Sequence, residues 1–197
     1  MPLHRLIQAS LTEAQSAVSA LIANEHAIAE IAKAGVLLSA CLENKGRVFS
    51  CGNGGSMCDA MHFAEELSGR YRKNRAALAA TSISDPGHLS CVANDYGYEY
   101  VFSRYLEGHG RAGDCLVVLS TSGKSPSILK ACEVAQRIGM KVIGLHGRPG
   151  SPLEDCTDVN ICTQAGEFAD RVQELHIKVL HILIELVERH LFPQNYA

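Results

Sequence analysis

A doubly wound α/β fold, with about five parallel strands flanked by helices, is the architecture this sequence predicts, and three observations lead to it. Short, continuously apolar runs recur between Arg47 and Cys162. Strands buried on both faces read in this way, rather than as strict alternation. Stretches of helical composition fill most of the gaps between those runs, as crossover helices do in βαβ units. Two of the runs end in turns rich in glycine or hydroxyl side chains. In open parallel sheets ligands bind beyond the carboxyl ends of the strands, where such turns lie.

Residues 5–44 read as two helices broken near Asn24-Glu25. The first carries Leu6, Leu11, Ala14, Val18 and Leu21 at helical spacing, and the second carries Ile28, Ile31, Leu37, Leu38, Cys41 and Leu42. A helical pair placed before the first strand is not a crossover. It must pack on the outside of the sheet or against another subunit, so residues 1–45 are expected to be an extension used in oligomerisation. Strands are expected at Val48–Cys51, Ala79–Ile83, Cys115–Leu119, Lys141–Leu145 and Asp158–Cys162, and helices at 56–69, 98–109, 126–139 and 168–191. The final helix is apolar on nearly every side from Leu175 to Val187. A helix of that kind is buried all round, and burial in an oligomer interface is the expectation. With no internal repeat, low-complexity tract or linker, residues 1–197 form a single domain.

Composition narrows the function. Hydrophobic residues make up 47% and charged residues 20% of the 197, the balance of an ordinary globular domain. A formal charge of −3 offers no electrostatic case for nucleic acid, whose binders carry a basic excess. No apolar run is long enough for a membrane span, and the start lacks signal-peptide features. Eight cysteines show no C-x-x-C spacing and sit mostly in apolar contexts. They read as reduced, structural thiols, and the expected compartment is the cytoplasm.

Four constellations could carry chemistry. The first is Gly52-Asn53-Gly54-Gly55-Ser56, which follows a strand and opens a helix. That arrangement aims free N–H groups and a positive dipole end at an anion. It matches neither a Walker loop nor a dinucleotide fingerprint. One turn into the helix, His62 and Glu66 share a face and can hold one ion or one substrate between them. The second is Ser120-Thr121-Ser122-Gly123-Lys124-Ser125, ahead of Pro126. Its hydroxyls and the helix start suit a phosphate. The third is Asp170 with Gln173 and His181 on the last helix. Gln173 lies about 60° to one side of Asp170 and His181 about 20° to the other, so the three share one side. Buried polar groups need partners, which makes this side difficult to explain as packing. A rise of roughly 12 Å separates Gln173 from His181, so a shared site would lie midway or draw on a neighbouring subunit. The fourth, Asn94-Asp95-Tyr96-Gly97, reads equally well as a helix-ending turn.

Taken together, these residues resemble the signature of the sedoheptulose-7-phosphate isomerase (phosphoheptose isomerase) family, of the sugar-isomerase (SIS) domain class. The likeness rests on Cys51 to Ser56, Asp59-Ala60 and His62 to Glu66. Asn94 to Gly97, Phe102-Ser103, Ser120 to Gly123, Asp170-Arg171, Gln173-Glu174, His176 and His181 then follow in family order. It covers nearly the whole chain. The resemblance implies a cytoplasmic homotetramer that converts sedoheptulose 7-phosphate to D-glycero-D-manno-heptose 7-phosphate through an enediol, the first step toward the heptose of bacterial lipopolysaccharide. It implies substrate contacts from Asn53, Gly54, Gly55, Glu66, Asn94, Asp95, Ser120, Thr121, Ser122, Ser125 and Gln173. It further implies one zinc ion (Zn2+) per subunit on His62, Glu66, Gln173 and His181, with Glu66 as base and His181 as acid.

A metal-bound carboxylate is a weaker base, and Glu65 is the fallback, pointing about 100° away from Glu66. Lys124 departs from the asparagine common in that family. Leu145 to Gly150 replaces a more usual glycine-rich turn, so that loop is assigned nothing. The alternative from another class is a non-catalytic adaptor of the same fold that binds the replication initiator protein as a tetramer. Its members generally lack equivalents of Glu66 and His181, and this chain keeps both.

Overall fold

The computed structural model describes residues 2–197, and seven α-helices and five strands lie within them. The leading pair is α1 (Leu3–Ala23) and α2 (Glu25–Glu43). They break where expected, because the Asn24 side chain accepts a hydrogen bond from the Ala27 N–H at 3.1 Å and so caps α2. There follow β1 (Val48–Gly52), α3 (Gly55–Ser68), β2 (Ala80–Ser82), α4 (Pro86–Asp95), α5 (Val101–His109) and β3 (Cys115–Ser120). The chain closes with α6 (Pro126–Ile138), β4 (Lys141–His146), β5 (Val159–Cys162) and α7 (Ala169–Leu191).

All four strand pairings are parallel, in the order β2-β1-β3-β4-β5. The order reverses between β1 and β3, the switch point at which a doubly wound sheet opens a crevice for ligands. Alternate residues feed two cores. Val48, Val117, Leu119, Ile143 and Leu145 pack beneath α2, α3 and α7. Phe49, Cys51, Leu116, Val118 and Val142 pack against α4, α5 and α6. The period of two along each strand is what sends neighbours to opposite faces.

Three differences from the sequence-based expectation have physical causes. Helix α4 is absent from the expected elements because its Pro-Gly start reads as a turn. Asp85 instead caps it, accepting from the His88 N–H at 2.7 Å, with Pro86 in the first turn where no donor is needed. The stretch 98–109 divides into a 3-10 turn at Tyr98–Tyr100 and α5. Strand β2 is shorter than 79–83, although the Val48 N–H to Ala79 carbonyl bond (2.8 Å) and the Ile83 N–H to Ser50 carbonyl bond (2.9 Å) continue its pairing at both ends.

The burial of α7 also has another origin than expected. Val172, Leu175, Val179, Leu180, Leu183, Ile184 and Val187 are covered by the chain's own α2, α3 and sheet. Ile182, on the outer side, remains 36% exposed. All eight cysteines are free thiols, and four of them are buried.

His176, on α7, is completely buried, and neither ring nitrogen has a well-formed hydrogen bond. Burial holds its imidazole down at about 4, from an ordinary 6.5, and the nearby His146 backbone only partly opposes this. A ring depressed in the folded state takes up its proton more readily once unfolded. Stability is therefore complete above pH 6.5 and falls as pH drops toward 4, by an amount on the order of 3 kcal/mol. Urea unfolding at pH 7 and pH 5 should show about two-thirds of this loss in the native chain and a flatter dependence in His176→Gln. Equal slopes would remove His176 as the cause.

Candidate active site

Both helices that start at the switch point begin without a side-chain cap. Helix α3 follows Gly54, whose φ of 57 and ψ of −124 belong to a region essentially closed to other residues. Helix α6 follows Ser125, whose hydroxyl accepts nothing from the first turn. First-turn N–H groups left without a side-chain partner are free to meet an anion.

Between the two helix starts is a cavity of about 420 Å³ lined by Asn53, Tyr98, Glu99, Ser125, Pro126 and Ser127. The Asn53 amide donates to Ser127 Oγ at 3.0 Å and accepts from the Tyr98 hydroxyl at 3.0 Å. Ser120 Oγ lies 3.3 Å from Ser125 Oγ, and Ser122 Oγ accepts from the Lys124 N–H at 3.3 Å. Behind this loop, the Gly147 and Leu153 N–H groups bond the carbonyls of Thr121 (3.1 Å) and Gly123 (3.2 Å). Gly123 has φ 64, and a Cβ there would lie 2.2 Å from Ser151 Oγ. The 146–153 stretch is therefore the backing of the serine loop, a role with no signature in its own residues.

The second half of the site lies further along α3. His62 Nε2 stands 3.4 Å from Glu66 Oε1, and His181 Nε2 stands 3.4 Å from Glu66 Oε2. The two imidazole rings meet edge to face at 5.2 Å, and Tyr71 stacks on His181 at 5.8 Å. One ligand atom from each of His62, Glu66 and His181 falls within 4.8 Å of the others, which is close enough to hold one metal ion.

The direction of the His181 contact does not make a hydrogen bond, so the buried Glu66 Oε2 is left without a partner. An orphaned carboxylate oxygen between two imidazoles fits a divalent cation with nitrogen and oxygen preference. Asp59, one turn before His62, has an unpartnered Oδ2 as well. Burial holds its carboxyl above the usual carboxylate range, and His62 opposes that shift.

The remaining candidates divide. Gln173 packs over the start of α3, with its amide nitrogen 3.5 Å from Ser56 Oγ. A Cβ on Gly55 would lie 2.7 Å from its Oε1, so that glycine makes room for the glutamine. Asn94 and Asp95 are exposed at the end of α4 and bond each other at 2.7 Å. Among the described residues they make no hydrogen bond to another candidate side chain. Asp170 is exposed, beside Arg171. Tyr71, Tyr98 and Ser127 escaped the sequence reading because only the tertiary fold brings them to the site. The sole hint was an aromatic residue set in the polar stretches around Tyr71 and Tyr98.

The fold and these two half-sites define a SIS-domain isomerase of sugar phosphates. The SIS domain family matches residues 11–147 of the chain. The phosphoheptose isomerase of Aeromonas hydrophila is 55% identical over 186 residues, spanning 94% of this chain and 97% of that one. Among solved structures, phosphoheptose isomerase GmhA from Neisseria gonorrhoeae superposes with a TM-score of 0.88 at 34% identity, covering 95% of this chain and 99% of that chain. A phosphoheptose isomerase from Francisella tularensis does so with a TM-score of 0.89 at 31% identity, covering 96% and 100%. The chain belongs to the phosphoheptose isomerase family.

Gly55→Ala tests the contact between the two helices at this end of the site. The added methyl displaces the Gln173 amide, while alanine suits the first turn of a helix. Turnover efficiency should fall roughly tenfold with an unchanged circular-dichroism spectrum and unfolding midpoint. Full activity in this variant would show that the placement of Gln173 is irrelevant.

Proposed function

We propose that this chain isomerises sedoheptulose 7-phosphate to D-glycero-D-manno-heptose 7-phosphate through an enediol, supplying the heptose of bacterial lipopolysaccharide. The observation that carries the reading is Glu66, held between His62 and His181 with one buried oxygen unpartnered. The phosphate would sit among Ser120, Thr121, Ser122 and Ser125 at the uncapped start of α6. The hydroxyls along the sugar would meet Asn53, Gly54, Gly55, Asn94, Asp95 and Gln173.

In the proposed reaction Glu66 removes a proton from C1 while His181 gives one to the C2 carbonyl oxygen, forming the enediol. Glu66 then returns its proton to C2, and His181 takes the proton of the C1 hydroxyl, leaving the aldehyde. Atoms and charges balance, and both groups end as they began. A general acid and base placed in this way contribute on the order of 10²–10⁴-fold. His62, Glu66, Gln173 and His181 would hold one zinc ion per subunit, whose positive charge favours the developing enediolate. The two oxygens of Glu66 differ, since Oε2 is buried without a partner and Oε1 is not, so Oε2 would face the ion and Oε1 the substrate. Glu65 is the weaker candidate for the base, with its carboxylate two-thirds exposed and 3.9 Å from His62.

The test is to incubate purified protein with sedoheptulose 7-phosphate and follow both sugars by NMR. The native chain should turn over, lose activity to a chelator and regain it with zinc. Glu66→Gln and His181→Gln should each lose at least about 100-fold in kcat. Full rates in both variants would end the catalytic assignment. No turnover by the zinc-supplied native chain would favour the initiator-binding adaptor, a reading opposed by the meeting of Glu66 and His181.

The assembly we propose is a homotetramer in the cytoplasm, a compartment in keeping with eight free thiols. Support for association comes from α1, where Leu3, Ile7, Leu11 and Ile22 form a stripe at helical spacing that is 61–77% exposed. A stripe of this kind on a helix is a surface awaiting a partner. Leu11→Asp should shift the species seen in sedimentation from tetramer toward smaller forms. An unchanged sedimentation coefficient would remove α1 from the interface.

A further inference from the structure

Arg75 belongs to the irregular stretch between α3 and β2, in the basic run Arg70-Tyr71-Arg72-Lys73-Asn74-Arg75. A run of that kind is ordinarily a solvated loop, and Arg70, Arg72 and Lys73 are indeed exposed. The Arg75 side chain is completely buried. It points back under the end of α3, which has no basic residue in its last turn and no left-handed cap. The guanidinium supplies what the helix lacks. Nη2 donates to the Glu66 carbonyl at 2.7 Å, and Nη1 to the carbonyls of Leu67 (2.8 Å), Gly69 (3.2 Å) and Ala76 (3.2 Å). Glu66 and Leu67 belong to the last turn of α3 and Gly69 is its C-cap, where a cation is also favoured by the dipole, while Ala76 lies in the loop beyond.

The same guanidinium reaches α7. Its Nε donates to Glu188 Oε1 at 2.8 Å, and the Glu188 side chain is as completely buried as its own. The other carboxylate oxygen accepts from the Tyr196 hydroxyl at 2.7 Å. Glu188 lies seven residues beyond His181, two turns along α7 and within about 20° of the same face. Arg75 thus grips the peptide of Glu66 at one end and the His181 face of α7 at the other.

We propose that Arg75 is a positioning residue for the isomerisation: together with Glu188 it sets the register of α3 against α7, and so the placement of Glu66 relative to His181. This rests on the assignment of the reaction to Glu66 and His181. The competing account is an ion pair that serves stability alone. Removing one member of a buried pair strands the other charge, whereas removing both leaves none stranded. The double variant therefore separates the two accounts.

The experiment compares Arg75→Met/Glu188→Met, Arg75→Lys, Glu188→Gln and Glu66→Gln with the native chain. Three readouts are taken: fold by circular dichroism, kcat and KM with sedoheptulose 7-phosphate, and the visible absorption of cobalt(II)-loaded protein. The double variant should fold and keep KM within about twofold, because the serine loop is untouched. Its kcat should fall on the order of 10- to 100-fold, with shifted cobalt bands. Arg75→Lys has a point charge in place of the fork and should remain low in kcat. Glu188→Gln, the mildest change, should move kcat and the cobalt bands in the same direction.

Native kcat and cobalt bands in the folded double variant would overturn the proposal, as would failure of both the double variant and Glu188→Gln to fold, which would make the pair a requirement of the fold as a whole. Glu66→Gln keeps the two readings apart. Full turnover in that variant would sink the site assignment itself, whereas an inactive Glu66→Gln beside a native-like double variant would sink only the role of Arg75.

Discussion

The side-by-side packing of α3 and α7 is the constraint on which the site depends. The contacts between them recur in step along both helices. Gln173 meets Gly55 and Ser56, His181 meets His62 and Glu66, and Glu188 meets the end of α3 through Arg75. The two helices therefore run parallel and in register on one face of the sheet. Each contributes side chains that have no purpose alone. His62 and Glu66 occupy one helical face by spacing, but they become part of a three-residue cluster only where α7 delivers His181.

The sheet provides the other half. Reversal of strand order between β1 and β3 splays the segments that follow them, Gly52 to Gly55 on one side and Ser120 to Ser125 on the other. Each leads into a helix whose first turn lacks a side-chain cap, which is costly for an isolated helix and useful beside an anion. Asn53 joins the two sides through Ser127 and Tyr98. The crevice is thus bridged by hydrogen bonds among side chains from the turn after β1, from α6 and from the turn before α5. In the proposed reaction the phosphate would belong to this crevice and the proton transfers to the helix pair, with α3 contributing to both.

Much of this was legible in the residues because it is local. The helical break at Asn24, all five strands, the glycine turn and the serine loop are announced by apolar runs, capping residues and spacing within a few positions. Helix α4 was not, because Pro86-Gly87 is a turn signal and only the Asp85 cap overrides it. The burial of α7 was legible, but its cause was not. Apolar residues on nearly every side say that something covers the helix, without distinguishing the chain's own α2 and α3 from a second subunit. At the site, the pairing of His62 with Glu66 follows from helix geometry. The arrival of His181, Tyr71 and Ser127 follows from tertiary packing, for which spacing carries no information. Arg75 is the extreme case. Its neighbours mark it as surface, and only the fold turns it inward.

Helix α7 shows why so oily an element carries polar groups at all. Apolar packing alone tolerates rotation, since many settings of Leu, Ile and Val bury similar area. The polar side chains do not. Gln173 requires Ser56 and the space above Gly55, and Glu188 requires both Arg75 and Tyr196. Rotation by one residue turns each of them about 100° away from its partner. A buried glutamate without its arginine is a stranded charge, among the most costly defects a core can hold. The hydrophobic residues therefore decide that α7 is buried, and Glu188 and Gln173 decide at which angle. His181 takes its place opposite Glu66 because its neighbours on the same helix leave it no other.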